Sequence, residues 1–282
     1  MRIGGWVRRL HAGALVPVAA ALVLALQTPA GAAPSDDDAP VGRAGIDVSH
    51  PQCDRNLPDG LPFAVVGVNG GMATRANPCL AEQLEWAWES TGSVPEQPPA
   101  QLYLNTANPG QVRSLVTTWP SDGDTPYGQC DGGNSEACSW RYGYERARAS
   151  VTGFFRSAAK DAGVDSIPSS YTWWLDVETS NTWQNGSDDA RARNRAALEG
   201  MTAYLDFRGA EVGLYSTGRQ WAQIVGDVPD DSPLAGLPSW LAGSSTRAEA
   251  RAACDLPPLV PDGEVTLTQY VPGNLDRNHS CG

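Results

Sequence analysis

From residue 44 onward, short apolar runs alternate with longer amphipathic stretches. The runs have the length of buried strands, and the stretches carry apolar residues at helical spacing. Ala44 to Val48 opens the series. Phe63-Ala64-Val65-Val66-Gly67-Val68 is apolar throughout, as a strand covered on both faces requires. Further strands are predicted at Leu102-Tyr103-Leu104, residues 172–177, Val212 to Ser216, Pro238 to Ala242 and Val265 to Tyr270. Between them, Asn77-Pro78-Cys79 opens a helix with Leu80, Leu84 and Trp88 on one stripe. Residues 144–162 read as a second helix, with Val151, Phe154, Phe155 and Ala158 inward, and residues 188–207 as a third. Shorter helical segments are predicted around Trp221 and over residues 247–253. A long irregular insertion is expected at about 119–143, holding Trp119, Trp140, Tyr142, Cys130 and Cys138.

Alternating strands and helices predict an α/β fold with a parallel sheet under helices. Seven strands and a tail in about 250 residues fit a closed (β/α) TIM-type barrel, irregular or incomplete in its last units, better than an open sheet. No G-x-G-x-x-G follows the first strand, which argues against a dinucleotide fold. In such a barrel the chemistry sits where strands end. Asp47, Asn105, Asp176, Glu178, Ser216 and Gln269 all fall at predicted strand ends. Within Trp173-Trp174-Leu175-Asp176-Val177-Glu178-Thr179, strand alternation points Asp176 and Glu178 to one side and Val177 to the other. Two residues of rise put their Cβ atoms roughly 6–7 Å apart. Paired carboxylates at that range can be driven to different pKa values, one kept as an acid and one ionised.

The ends of the chain and its charge restrict partners. Residues 1–32 read as a signal peptide: Arg2, Arg8 and Arg9 in front, an apolar run from Ala14 to Leu26, then Ala30-Gly31-Ala32 as the cleavage pattern. The run is short for a membrane span, so a retained anchor is the less favoured reading. Residues 33–43 are acidic and Pro-rich and are expected to be a disordered linker, which leaves 44–282 as the barrel domain. Cleavage removes three Arg and no acid, so the net charge falls from −12 to −15. Such a surface repels phosphate backbones, and nucleic acid is not expected as a partner. An extracellular monomer is expected, with no membrane contact after cleavage.

All six cysteines follow the signal, and an even count in an exported chain suggests disulfides. Fifteen connectivities are possible; order and loop placement favour Cys53–Cys79, Cys130–Cys138 and Cys254–Cys281. Zinc is the competing reading. No C-x-x-C is present and only His50 and His279 remain after the signal, so no metal or cofactor is expected.

Several short motifs stand in a telling order: Gly45-Ile46-Asp47-Val48-Ser49, Leu175-Asp176-Val177-Glu178, Trp240-Leu241-Ala242, Gln269-Tyr270 and Leu275-Asp276-Arg277-Asn278. In that order they resemble glycoside hydrolase family 25, the Chalaropsis-type lysozymes, over residues 44–282. The resemblance implies a (β/α) barrel and a secreted muramidase that cuts β-1,4 linkages of N-acetylated cell-wall glycan, a peptidoglycan-like polysaccharide. It implies that Glu178 is the general acid, that Asp176 orients and stabilises the substrate's N-acetyl group, and that Asp47 and Asp276 shape the field around them. Asn105, Gln269, Tyr270 and Trp240 are the substrate-contact candidates on strands. Trp140, Tyr142 and Trp183 are the candidates in loops, since aromatic faces stack on pyranose rings. The chain departs from the family at Tyr103 to Gly110, where an aromatic-His element is usual, in the cysteine-stapled insertion, and at Gly243-Ser244. These departures mark a divergent branch. A second reading, of a different class, is a family-25-like barrel that binds glycan or a protein without turnover.

Overall fold

A computed structural model describes residues 43–273 and 275–282. The expected signal peptide, and the expected linker up to residue 42, lie outside the described residues. Eight strands close a barrel: β1 (Ala44–Val48), β2 (Ala64–Gly67), β3 (Ala100–Asn105), β4 (Thr172–Asp176), β5 (Glu211–Ser216), β6 (Ser239–Ser244), β7 (Val265–Tyr270) and β8 (Asp276–Ser280). From β1 to β7 each strand is parallel to the next. β8 is antiparallel to both β7 and β1 and completes the ring. The barrel is thus the expected one, with its irregularity in the last unit.

The expected tail is therefore a strand in its second half. Asp-Arg-Asn-His-Ser has no apolar run to reveal it. Its inward residues are polar and are satisfied by hydrogen bonds: Asn278 donates to Asp47 at 2.8 Å, and the Ser280 hydroxyl accepts from Gln97 at 3.3 Å.

Among the described residues six α-helices surround the strands: α1 (Leu80–Trp88), α2 (Glu136–Ala149), α3 (Arg156–Ala162), α4 (Asp188–Phe207), α5 (Gly218–Ile224) and α6 (Arg247–Ala253). α2 runs through a π-helical stretch, Ser150–Phe155, into α3. Two expectations need correction. The insertion is only partly irregular. It forms a hairpin of Gly123–Thr125 with Gly128–Cys130, and α2 begins inside it, capped by Ser135 accepting from the Cys138 amide at 3.2 Å. The first buried positions of α2 are the small Ala137, Cys138 and Ser139, so no apolar period announces it. Trp88, expected inward, ends α1 at 45% exposure against the ring of Tyr171. The buried stripe is Leu80, Gln83, Leu84 and Ala87. Gln83 belongs there because its amide donates to the Ser49 carbonyl and accepts from Asn77.

Strand alternation sorts the core into two layers. Ile46, Val48, Val66, Leu102, Leu104, Trp173 and Leu175 face the helices. Phe63, Val65, Trp174, Tyr215, Trp240 and Leu267 fill the barrel interior. Such a filling needs small neighbours for its large rings. A Cβ on Gly213 would stand 2.3 Å from the Trp174 ring, and one on Gly67 would stand 2.4 Å from the Tyr103 ring. The cysteines pair as Cys53–Cys79, Cys130–Cys138 and Cys254–Cys281, the favoured set. With all six bonded, no thiolate is left for a metal.

Candidate active site

Three strands bring carboxylates to one barrel mouth. Asp47 lies one residue from the end of β1, with an inward side chain. In register it stands directly across from Asp276, the first residue of β8. Because β8 runs antiparallel, its start lies at the mouth where the parallel strands end. Asp176 is the last residue of β4, flanked in register by Asn105 of β3 and Tyr215 of β5. The strand course continues past it: the Val177 amide donates to the Tyr215 carbonyl at 2.9 Å, and Val177 is buried among the outer layer. That returns Glu178 to the side of Asp176. The chain then turns, with the Asn181 amide donating to the Glu178 carbonyl at 3.1 Å and the Trp183 indole donating to the same oxygen at 2.9 Å.

The cleft above these residues has two lobes. A cavity of about 300 Å³ is lined by Asp47, Tyr215, Trp240, Gln269, Val271 and Asp276. A second, of about 500 Å³, runs under the small hairpin Asn69–Gly70 with Arg75–Ala76 and includes His50 and Asn105. Tyr103, Asp176 and Glu178 line both. The two acids therefore stand where the lobes meet.

Burial and mutual repulsion set the proton affinities. Asp47 is pushed to about 7, first by burial and then by Asp276, against hydrogen bonds donated by Gln269 and Asn278. Burial lifts Asp176 well above the ordinary carboxylate range, with Glu178 and Asp47 adding repulsion. One oxygen of Asp176, Oδ1, is buried with no partner. Glu178 is less deeply placed. Burial and Asp276 raise it, while Ser180 and Gln220 pull the other way. Asp276 is raised by burial. Burial also raises the Tyr103 and Tyr215 hydroxyls, which stay neutral. Such a cluster holds protons at neutral pH that isolated carboxyls would lose, so it can supply both an acid and an anion.

Comparison with solved structures finds similarity at low identity. The chain is similar to the bacterial lysozyme from Streptomyces coelicolor, with 17% identity and a TM-score of 0.49 over 86% of this chain and 93% of that one. It is also similar to a muramidase from Trichobolus zukalii, with 15% identity and a TM-score of 0.46 over 85% and 94% of the two chains. A muramidase from Acremonium alcalophilum gives 15% identity and a TM-score of 0.47 over the same shares. No protein-family model and no curated protein sequence matches the chain.

The expected site residues fall into three groups. Asp47, Asp176, Glu178, Asp276, Asn105, Gln269 and Trp240 line the cleft. Asn105 also clamps the hairpin, its amide donating to the Gly71 carbonyl at 2.6 Å. Gln269 is held in one orientation, accepting from the Tyr215 hydroxyl at 2.8 Å and donating to both oxygens of Asp47 at 3.1 and 3.2 Å. Trp183 stands behind the cleft and supports the Glu178 backbone. Trp140, Tyr142 and Tyr270 line neither lobe. Tyr142 is buried against Trp119 and donates to the Met72 carbonyl at 2.7 Å, Trp140 stacks on Tyr144, and Tyr270 is buried at the end of β7. An aromatic in an insertion looks available from sequence; here the insertion folds into α2 and turns these rings to its own packing. Sequence reasoning passed over Tyr103, Tyr215 and Asn278. Tyr103 lies two residues from Asn105 and Asn278 two from Asp276, so alternation was the signal for both. Tyr215 is next to Ser216, the strand end picked out, whose hydroxyl instead donates to the Val177 carbonyl at 2.6 Å, so alternation from that residue pointed away from Tyr215.

Proposed function

We propose that this chain is a secreted glycoside hydrolase that cleaves β-1,4 linkages of N-acetylated cell-wall glycan, a reaction of the muramidase type. The observation that carries the proposal is the position of Asp176 and Glu178 at the junction of two lobes. A polymer threaded through both lobes presents its linkage to the carboxyls, and the sugar units on either side fill the lobes. The motif order that resembles family 25 supports the same reading.

In this mechanism Glu178 protonates the leaving oxygen. It is the more accessible of the pair, and Asp276 opposes its ionisation. Asp176 accepts the substrate's N–H on its unpartnered Oδ1 and steadies the N-acetyl group as it attacks the anomeric carbon. Asp47, held neutral below about pH 7 by burial and fixed by Gln269 and Asn278, orients the wall opposite, and Asp276 faces the positive charge that develops. Burial and mutual repulsion raise Asp176, which opposes the anion that this role needs. The positive charge that grows beside Asp176 in the transition state offsets this, because it stabilises the anion. The upward push of burial on Asp176, against the anion, favours the second reading, a glycan-binding barrel without turnover.

Dye release from labelled peptidoglycan by wild type and Glu178→Gln separates the two. The hydrolase reading expects release by wild type and a loss of at least about a hundredfold in the variant, with unchanged thermal unfolding. Equal release by both proteins, or none by wild type on several wall types, sinks it. Wall binding without release would establish the binder.

A further inference from the structure

A separate cavity lies on the outer wall of the barrel, between α6 and β8. We infer that it is a binding site for a phosphoryl oxyanion, of the kind that a phosphodiester polymer or free phosphate presents. The inference rests on the cavity alone and is independent of the proposed hydrolase activity.

The chain carries 32 acids against 20 Lys and Arg. This cavity inverts that balance. Its volume is about 810 Å³, and Arg43, Arg247, Arg251 and His279 line it, with Asp255 as the one acidic side chain. Arg247 and Arg251 are four residues apart on α6 and so share a face. Neither pairs with an acid among the described residues. Arg43, just ahead of β1, is paired with Glu96 at 3.0 Å and donates to the Gly282 carbonyl. The frame is rigid. The Cys254–Cys281 disulfide joins the end of α6 to the residue after β8, Thr268 of β7 donates to the Ala250 carbonyl at 2.8 Å, and a Thr246/Glu249 capping box fixes the start of α6.

His279 points to a missing partner. Alternation along β8 turns Asp276 and Asn278 inward and His279 out into this cavity. The side chain is 9% exposed, and Nδ1 is buried without a hydrogen bond. Burial, then Arg247, Arg43 and Arg251, hold the imidazole below its ordinary pKa, so all three guanidinia bear on it. With the proton on Nδ1 the ring is a buried donor without an acceptor, and beside three cations an anion is the acceptor that satisfies it. The unpaired forks of Arg247 and Arg251, with the donors that Arg43 does not spend on Glu96 and Gly282, exceed what the two oxygens of a carboxylate can accept, whereas a tetrahedral phosphoryl group can bridge them. The cavity far exceeds one phosphate and leaves room for a chain on either side. Along β8 it stands about 10 Å from Asp276 and on the other face of the sheet, so the catalytic carboxyls are not part of it.

The test follows the His279 ring signal by NMR in the oxidised protein, with His50 as the internal control. Inorganic phosphate, an oligo(glycerol phosphate), acetate and chloride are titrated separately at matched ionic strength. The His279 signal should move and saturate with a phosphoryl ligand, while His50 stays still. Saturation by phosphate itself makes the free anion sufficient. Saturation by the oligomer alone identifies the polymer. Arg247→Gln with Arg251→Gln should weaken binding at least tenfold; should that pair impair folding, the exposed Arg251→Gln alone reads the same effect. The inference is overturned when no phosphoryl ligand moves His279, when acetate or chloride moves it equally, or when a folded variant titrates as wild type does. Glu178→Gln should bind as wild type does, and the Arg variants should keep any dye release, so the two readings fail separately.

Discussion

Replacing Asp47 by Asn should make the protein more stable at alkaline pH and not at acid pH. Asp47 titrates at about 7 in the fold, against an ordinary 3.8. Below about pH 4 the carboxyl is protonated in both folded and unfolded chains, so its charge has no effect on stability. As pH rises from about 4 to 7 the unfolded chain ionises and the folded one does not, and stability falls; above 7 the penalty is constant. At 1.36 kcal/mol per tenfold change, the full penalty is about 4 kcal/mol. Relief of Asp176, which Asp47 repels, adds in the same direction. Asn also turns an NH₂ group toward Gln269 or Asn278, which donate to Asp47. That loss is independent of pH and drops out of a comparison across pH. The assay is urea unfolding of both proteins, disulfides intact, at pH 4 and pH 8, followed by Trp fluorescence. The variant's advantage should grow by about 4 kcal/mol between the two. Growth below about 1 kcal/mol would refute the claim that the interior carboxyl is held against its charge.

Asp276→Asn should move the alkaline limb of the pH–rate profile to lower pH. Asp276 helps hold the Glu178 proton, and without it the acid is lost sooner as pH rises; an unmoved limb would separate Asp276 from the acid. Wild type should show a bell with its optimum below neutrality, its two limbs belonging to the cluster and not to single residues. Opening Cys254–Cys281, with 27 residues of separation, should lower stability by about 3.5 kcal/mol, whereas opening Cys130–Cys138, with a separation of 8, should lower it by about 2.5. Chemical denaturation of the two Cys-to-Ala pairs measures the difference, and the reverse order would contradict the loop-closure account.

What the sequence disclosed follows from where apolar residues had to go. β1 to β7 each put side chains into the layer under the helices, and that requirement leaves an apolar run. The acids Asp47, Asp176 and Glu178 were legible because they interrupt such runs at the point where a strand ends. β8 left no run: its inward face is Asp276, Asn278 and Ser280, and polar strands look like tails. α2 was hidden for a related reason, since its buried face opens with Ala, Cys and Ser. The aromatics were the least legible. A Trp reads the same on a cleft wall as in a core, and only the fold separates Trp240, in the cleft, from Tyr142, inside the insertion's packing.

The polar last strand is also what makes the acid cluster possible. A parallel eighth strand would start at the far mouth, and its first residue could not meet Asp47. Running antiparallel, β8 starts at the mouth that holds Asp176 and sets Asp276 against Asp47 in register. The arrangement strains its own seam, because it opposes two carboxyls across adjacent strands in a buried site. Three features hold the seam. Gln269 and Asn278, from β7 and β8, both donate to Asp47 and so bridge the strands that its charge would part. Cys281, immediately after β8, is covalently joined to α6. The loop-closure value of that bond, about 3.5 kcal/mol, is of the same order as the ionisation penalty of Asp47, about 4 kcal/mol. On this reasoning a disulfide at the other end of β8 from the acid cluster acts on it through one strand. Reduction of Cys254–Cys281 should therefore reduce activity most at alkaline pH, where the carboxyls are charged, and least near pH 4, where they are protonated. A loss that is uniform across pH would show that the bond stabilises the fold without bearing on the cluster.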